Sequence, residues 1–181
     1  RLLTKRHMDP AFDLKTALPV HASGLTVLTG RSDFLEAWDP AGVTLAAPTL
    51  LKAIPYVRPR ASTFVEVAEA VVYFFADVVF EEKGKRKFLV PENSTHLSQL
   101  ADVVERVEPF DAVALEPVVK AWMEAEGLAM KTVAQPARVA MTGRTRSPGL
   151  FEVMEVLGKA KTVNRLRSAA ELCSEKAPAS T

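Results

Sequence analysis

The stretch from Val133 to Lys159 constrains the fold most, because it places helical patterns on both sides of a loop. Ahead of the loop, Ala134, Val139 and Met141 stand at spacings that can share one helix face, with Val133 beside them. After the loop the i, i+3, i+4, i+7 pattern of an amphipathic helix is carried by Leu150, Val153, Met154 and Leu157. We therefore predict two short helices joined by residues 142–149, TGRTRSPG, which we call the elbow loop.

The elbow loop combines unusual backbone residues with positive charge. Gly143 permits backbone angles that other residues avoid, while Arg144 and Arg146 place two guanidinium groups on the connection. Ser147 followed by Pro148 is typical of a helix start, with the hydroxyl as N-cap and proline at the first helical position. Unpaired N–H groups beside arginines favour an anion, so the loop is a candidate site for a nucleic-acid backbone.

Most of the remaining chain also shows helical periodicity. The predicted helices begin near Ser32, Thr49, Ser62, Asn93, Asp111 and Thr162. The Thr49 segment is short, and Pro55 bends or ends it. The Asp111 helix ends near Gly127, and its inward residues are Val113, Val118, Ala121, Trp122 and Met123. The last helix has Arg165 outward, and its inward residues are Val163, Leu166, Ala170 and Cys173.

Among the predicted helices, Ser62 to Phe80 is the strongest, and its aromatic residues are assigned to a core rather than to a base-stacking platform. Residues 81–87, EEKGKRK, are predicted to form a charged turn; its basic residues could contact a phosphate, but a solvated linker is favoured.

The charge is unevenly distributed along the chain. The formal net charge of the 181 residues is only +1, yet residues 131–181 contain nine Lys and Arg against four Glu, a balance of +5 that leaves −4 for the rest. A basic C-terminal third is typical of a polyanion-binding surface, although basic helices also occur as solvated faces. No run approaches the ~20 uncharged apolar residues of a membrane helix. A single cysteine, Cys173, fits a reducing cytoplasm.

The sequence shows none of the motifs that would indicate catalysis or metal binding. Three histidines, at positions 7, 21 and 96, and the single cysteine lie far apart, without the spacing of a zinc site. The GxxxxGK[ST] phosphate loop and the GxSxG nucleophile turn are both missing from the sequence. We therefore expect this chain on its own to catalyse nothing and to bind no metal. Arg1 stands in place of an initiator methionine, which favours a segment of a longer protein.

One region resembles a known family. The order and spacing of three short motifs are similar to those in the C-terminal anticodon-binding domain of bacterial glutamyl-tRNA synthetase, a class I aminoacyl-tRNA synthetase. A weaker likeness reaches back to Tyr56–Arg60, so that the resemblance covers Leu50 to Cys173. The motifs are Gln135-Pro136-x-Arg138-Val139-Ala140-x-Thr142-Gly143, Ser147-Pro148-Gly149-Leu150-Phe151-Glu152-Val153 and Leu157-Gly158-Lys159.

The resemblance implies an all-α, two-subdomain helical cage of about six to eight helices. Residues 32–80 would form the first anticodon-binding subdomain and residues 81–173 the second, followed by a frayed tail, 174–181. Residues 1–31 show no sustained period and would be the end of a preceding domain or vector-derived residues. Gln135-Pro136 would be structural and set the start of a helix.

The resemblance also implies roles for particular residues. Arg138 and the Ser147-Pro148-Leu150 elbow correspond to positions that contact the first two anticodon bases, and Arg60 to the position that reads the third. Ser147 stands where the family often has threonine; it keeps the hydroxyl but has no methyl group to pack against a base. Arg144 and Arg146 would contact phosphates or only raise the local potential.

The implied partner is the anticodon arm of tRNA-Glu. No cofactor would bind this chain itself, whereas the full-length enzyme, cytoplasmic and monomeric, would attach glutamate to the tRNA with ATP and Mg²⁺. An arginine at position 60 would accept C and disfavour G as the third base, and so separate glutamate tRNA from glutamine tRNA. The alternative is a helical protein–protein module that uses the elbow loop to hold a partner helix or an acidic peptide.

Overall fold

The computed structural model describes residues 40–61 and 64–175. Over these residues the chain forms eight α-helices and no β-strand, which confirms the all-α prediction. The helices are α1 (Pro40–Val57), α2 (Phe64–Val71), α3 (Glu82–Phe88), α4 (Ser94–Glu105), α5 (Ala112–Ala125), α6 (Met130–Thr142), α7 (Leu150–Leu157) and α8 (Lys159–Ser174). The predicted helix at Ser32, residues 1–31 and residues 176–181 lie outside the described residues.

The chain divides into two compact units, residues 1–76 and 77–181, and the sequence analysis places the boundary after residue 80. In the first unit, one face of α1 is buried at helical spacing and packs on α2 through Val67 and Val71. A short 3-10 turn, Arg58–Arg60, follows α1. The buried residues of α1 are Leu50, Ala53, Ile54 and Val57.

Helix α1 is longer than the sequence suggests. Residues 49–57 are predicted to form a short segment that Pro55 bends or ends, whereas the helix runs without interruption from Pro40 to Val57. A proline inside a helix removes one backbone hydrogen bond, here the one to the carbonyl of Leu51. Because Pro55 is exposed, water can reach that side of the helix, and the loss is tolerated.

The aromatic segment after α2 belongs to the core, as the sequence analysis expects. Tyr73 and Phe74 are buried, with only 3% and 1% of their surface accessible to solvent, and their ring centroids lie 4.4 Å apart. The helix itself is shorter than predicted: α2 ends at Val71, and a 3-10 turn, Val72–Phe74, follows. β-branched and aromatic residues are weak helix formers, and this run of them favours the tighter turn.

In the second unit, α4 and α8 form an antiparallel pair around which the other helices are arranged. The Ser94 hydroxyl, at the start of α4, donates to the carbonyl of Ala170 near the end of α8 at 2.9 Å. At the opposite end, Arg167 contacts Glu105. The apolar residues predicted for the last helix are all buried, namely Val163, Leu166, Ala170 and Cys173.

The ends of α5 are as predicted, but its buried face is not. Asp111 caps the helix by accepting a hydrogen bond from the amide of Ala114 at 2.8 Å, and Gly127 adopts a positive φ of 65° just beyond its end. The residues predicted to face inward are Val113, Val118, Ala121, Trp122 and Met123. Of these Met123 is buried, but Ala121 is exposed, and Val113 and Val118 are 84% and 42% exposed. The buried residues are Leu115, Val119 and Met123, at i, i+4 and i+8.

Residues 81–87 do not form a turn. Instead, α3 spans Glu82–Phe88, and its charges match the helix dipole, with Glu82 in the first turn and Lys85, Arg86 and Lys87 in the last. Asn93 Nδ2 donates to the carbonyl of Phe88 at 2.9 Å and so satisfies an acceptor at the end of this helix. The segment therefore has its own fixed place in the second unit.

Candidate nucleic-acid interface

The elbow loop begins at a glycine that no other residue could replace without strain. Gly143 ends α6 with a φ of 73°, and its amide donates to the carbonyl of Val139 at 2.8 Å. A Cβ added at this position would lie 2.1 Å from the carbonyl oxygen of Val79. The amide of Glu81 in turn donates to the carbonyl of Gly143 at 2.8 Å. The loop is thus fixed against residues 79–81.

Helix α6 contains a proline in its middle rather than at its start. The sequence analysis assigns Gln135-Pro136 to the beginning of a helix, but α6 starts at Met130 and Pro136 is buried inside it. The carbonyl of Thr132 loses its usual amide partner, and Thr132 is exposed, so this group can be hydrated. Pro136 therefore serves the packing of α6, whose other end carries the site.

Arg138 ties the two sides of the elbow together. Its Nη1 atom donates to the carbonyl of Ser147 at 3.1 Å, to the Ser147 hydroxyl at 2.5 Å and to the carbonyl of Pro148 at 2.7 Å. Charge-assisted hydrogen bonds of this kind are the stronger ones in proteins. The structure thus brings together Arg138, Ser147 and Pro148, three of the residues that the resemblance singles out.

These contacts explain why the predicted helix cap does not form. The Ser147 hydroxyl accepts from Arg138 and donates to the carbonyl of Pro148 at 2.9 Å, and these contacts direct it toward the loop rather than toward the first amides of α7. The helix starts at Leu150 instead, with Gly149 at the N-cap position and no side-chain cap. The Glu152 carboxylate lies against Gly149, where an added Cβ would be 1.8 Å from Oε2. A phosphate at this helix end would therefore meet a negative charge.

The predicted site residues differ in exposure. Arg138, Arg144 and Ser147 are half-buried and Arg146 is exposed, whereas Pro148 and Leu150 are buried in the core beside the elbow. The last two can shape the loop but offer little side-chain surface to a ligand. Arg60, in the first unit, is exposed at the end of the 3-10 turn that follows α1.

Two further residues support the loop and escape the sequence analysis. Thr142 is buried, its hydroxyl donates to the carbonyl of Arg138 at 2.8 Å, and it accepts from the amide of Arg144 at 3.2 Å. Arg165, predicted to face solvent from α8, donates through Nη1 to the carbonyl of Met141 at 2.6 Å. Burial lowers the pKa of Arg165, and the nearby Asp77 carboxylate opposes that shift.

The chemistry of the elbow is that of binding. It presents guanidinium groups, hydroxyls and backbone polar groups, which suit phosphates and unstacked bases. Within residues 40–61 and 64–175, no group of three or more His, Cys, Asp or Glu side chains is placed to hold a metal ion. Over the same residues, no helix has the length and apolar character needed to span a bilayer.

The chain was compared with known proteins. Residues 31–170 match the family described as "Anticodon binding domain". The chain is 39% identical over 123 residues to a glutamate--tRNA ligase of Bradyrhizobium diazoefficiens, which covers 67% of this chain and 26% of that protein. It is 35% identical over 158 residues to glutamate--tRNA ligase 1 of Beijerinckia indica, covering 87% and 31% respectively. The chain thus spans about a quarter to a third of the length of these curated relatives.

Solved structures show the same fold. A crystal structure of a glutamate tRNA ligase from Elizabethkingia meningosepticum in complex with its amino acid aligns with a TM-score of 0.65 and 23% identity, over 87% of this chain and 30% of that one. A glutamate-tRNA synthetase from Elizabethkingia anophelis aligns with a TM-score of 0.60 and 22% identity over the same shares. From the match over residues 31–170 and these relatives, the chain belongs to the anticodon binding domain family of glutamate–tRNA ligases.

Proposed function

We propose that this chain binds the anticodon arm of tRNA-Glu as part of a glutamate–tRNA ligase. The observation that supports this most is the set of hydrogen bonds from Arg138 to Ser147 and Pro148. These bonds fix the residues of the family motif in one place before RNA binds. A loop that is ordered in advance loses less conformational entropy on binding. The complete ligase would attach glutamate to the tRNA with ATP and Mg²⁺, as a cytoplasmic monomer.

The exposure of the site residues suggests which of them contact bases and which support the loop. Arg138 and Ser147, which are half-buried, would contact the first two anticodon bases, and the buried Pro148 and Leu150 would set the shape of the elbow. A guanidinium fork suits the carbonyl groups of a pyrimidine, and unstacked bases expose the edges that such donors read. Arg60 would contact the third base from the first unit.

Binding of the purified chain to two anticodon stem-loops tests the function. The stem-loops have equal length and end their anticodons in C or in G, and each is measured at two salt concentrations. We expect salt-sensitive binding that prefers C and that Arg138→Ala weakens about 10- to 100-fold, the loss expected for one good base contact. Arg106→Ala removes an exposed arginine of similar size and should have little effect.

Each other outcome has a clear meaning. Equal binding of both loops would keep RNA binding and remove the selectivity for the third base. An absence of binding at low salt, together with capture of an acidic peptide, would favour the protein–protein module instead. Binding that Arg138→Ala and Arg106→Ala weaken equally would show a general charge effect rather than an anticodon site.

A further inference from the structure

Helix α3 is seated directly against the elbow loop. Gly84 is buried, and a Cβ added there would lie 3.2 Å from Cγ2 of Thr145 and 3.4 Å from Cγ2 of Val139. A side chain at position 84 would meet these two methyl groups at the short end of van der Waals contact, so the glycine favours the close approach of the two segments. The contact joins the middle of α3 to the middle of the elbow loop.

A second set of contacts fixes α3 in the same position. Oε2 of Glu81 accepts from the amide of Thr145 at 3.2 Å and from its hydroxyl at 3.3 Å. At the other end of α3, Leu89 is fully buried and its amide donates to the carbonyl of Lys85 at 3.1 Å. The Glu81 carboxylate, one of the two that precede the basic residues, is therefore hydrogen-bonded to the elbow loop.

This seating places two sets of positive charges side by side. Gly84 stands between Lys83 and Lys85, and the threonine it touches stands between Arg144 and Arg146. Lys83, together with Arg86 and Lys87 further along α3, is exposed. We call these residues the α3–elbow surface: Lys83, Lys85, Arg86, Lys87, Arg144 and Arg146.

The basic residues of α3 take part in no close ion pair within the described residues. In the described part of the chain, the ion pairs of Lys120, Lys159 and Arg167 lie on α5 and α8, and none involves the four basic residues of α3. Lys87 instead lies over the Phe88 ring, with Nζ 5.3 Å from its centroid. Lysine and arginine side chains carry only donors, so an exposed group of them suits a partner rich in anionic acceptors.

We propose that the α3–elbow surface binds the phosphodiester backbone of the RNA whose loop lies on the elbow. This inference rests on the proposed function and adds to it a contact that does not depend on sequence. Base readers at the elbow would provide selectivity, and α3 would provide affinity and orientation through phosphates. A cluster of lysines and arginines offers only donors and positive charge. It therefore suits phosphates, which offer only acceptors, better than base edges, which also present donors.

The test removes three charges from α3 and three from elsewhere. The α3 variant combines Lys83→Gln, Arg86→Gln and Lys87→Gln. The matched control combines Arg106→Gln, Lys120→Gln and Lys131→Gln, which are also exposed and change the net charge by the same amount. Affinity is measured from about 50 to 200 mM salt, a range in which phosphate contacts have large effects. The probes are the C-ending and G-ending anticodon stem-loops and an unrelated hairpin of the same length.

We expect the α3 variant to bind every RNA more weakly, by about 10- to 100-fold at the lower salt, with an unchanged ratio between the C-ending and G-ending loops. The slope of log Kd against log salt should fall by about 2 to 3, close to one for each phosphate that the variant no longer binds. The control should change the slope by less than about one. Arg86→Glu alone should also weaken binding of every RNA and lower the salt slope. This single variant replaces the triple variant if the latter fails to fold.

The outcomes separate this inference from the proposed function. An unchanged slope in the α3 variant, with the preference for C intact in the parent, would overturn the phosphate surface and leave anticodon reading in place. Equal losses in the α3 variant and the control would also overturn it. A parent that binds the unrelated hairpin as tightly as the anticodon loops, and loses that binding with the α3 charges, would support the surface and overturn anticodon reading. A parent that binds none of the three RNAs would overturn both.

Discussion

Arg138 shows how the role of a residue depends on its partners. From the sequence it is a positive charge near the end of a helix, but in the structure one of its nitrogens contacts three oxygen atoms of the elbow. It is therefore a positioning residue for the loop as well as a candidate base reader. Replacing Arg138 would therefore change both the stability of the loop and the binding of RNA. Replacing Ser147, which carries no charge, tests the contribution to stability more directly.

Ser147→Ala tests the hold of Arg138 on the loop. The change removes the hydroxyl that accepts from Arg138 at 2.5 Å, so we expect a loss of about 1 to 2 kcal/mol in the free energy of unfolding. Urea titration followed by circular dichroism measures it. Ser168→Ala, at an exposed position of α8, should change stability by less than about 0.5 kcal/mol. Equal stabilities of the two variants would show that the hydroxyl contact contributes nothing.

Gly143→Ala tests the close approach at the start of the elbow. Alanine disfavours the φ of 73°, and its Cβ would also meet the Val79 carbonyl, so we expect a loss of roughly 2 to 4 kcal/mol. Gly127→Ala is the matched control: its φ is 65°, but no atom lies within 4 Å of the added Cβ, and it should lose about 1 kcal/mol. If thermal and urea unfolding show the same loss for both, the contact with Val79 is unimportant.

At the scale of elements, the pair of α4 and α8 separates packing from surface charge. Leu166 of α8 is fully buried, while its neighbour Arg167 is exposed and contacts Asp102 at 2.9 Å and Glu105 at 2.7 Å on α4. Those carboxylates raise the pKa of Arg167, which remains charged at any physiological pH. Exposed ion pairs add little to stability because water and salt screen them.

Leu166→Ala should therefore cost about 2 to 5 kcal/mol, the usual range for a buried leucine. Arg167→Ala should cost far less than Leu166→Ala, and added salt should reduce even that small loss of stability. Equilibrium unfolding in urea at low and high salt checks both variants. A larger loss for Arg167→Ala than for Leu166→Ala would mean that the ion pairs hold the two helices together.

Sequence reasoning succeeded where one apolar face is unambiguous. The period of α8 indicates Val163, Leu166, Ala170 and Cys173, and all are buried. It failed in α5, where apolar residues occur on several faces, so that Val113 could be chosen in place of Leu115. In such a segment the buried face is decided by neighbouring helices, and periodicity alone cannot identify it.

The site was only partly predictable for a similar reason. The elbow and its two flanking helices follow from local glycine, proline and apolar patterns. The contacts that define the site join residues far apart in sequence. The Glu81 carboxylate accepts a hydrogen bond from the amide of Thr145, and Gly84 packs against the same residue. Residues 81–87 contain no apolar side chain, so nothing in their periodicity predicts α3. Its place depends on Gly84 fitting against α6 and the elbow.

At the scale of the whole molecule, the candidate residues are divided between two units. Arg60 belongs to the first unit and the elbow to the second. If Arg60 reads the third base, it could be changed without disturbing the contacts that support the elbow loop, because those contacts lie within the second unit. Selectivity and affinity should then respond to different substitutions.

Arg60→Gln should relax the preference for C over G by about 10-fold or more, which corresponds to one base contact. Arg60 is exposed, so the free energy of unfolding should change by less than about 0.5 kcal/mol. Stem-loop binding measures the preference, with Arg106→Gln as the exposed-arginine control. A preference for C that survives unchanged would assign the third base to another residue.

The bonds of Arg138 to the elbow also have a consequence for the speed of binding. A loop already held by three hydrogen bonds needs no slow rearrangement when a ligand arrives. We expect association in a single kinetic phase whose rate rises linearly with RNA concentration. Attraction between charges acts mainly on the rate of encounter, and therefore salt should slow association more than it speeds release.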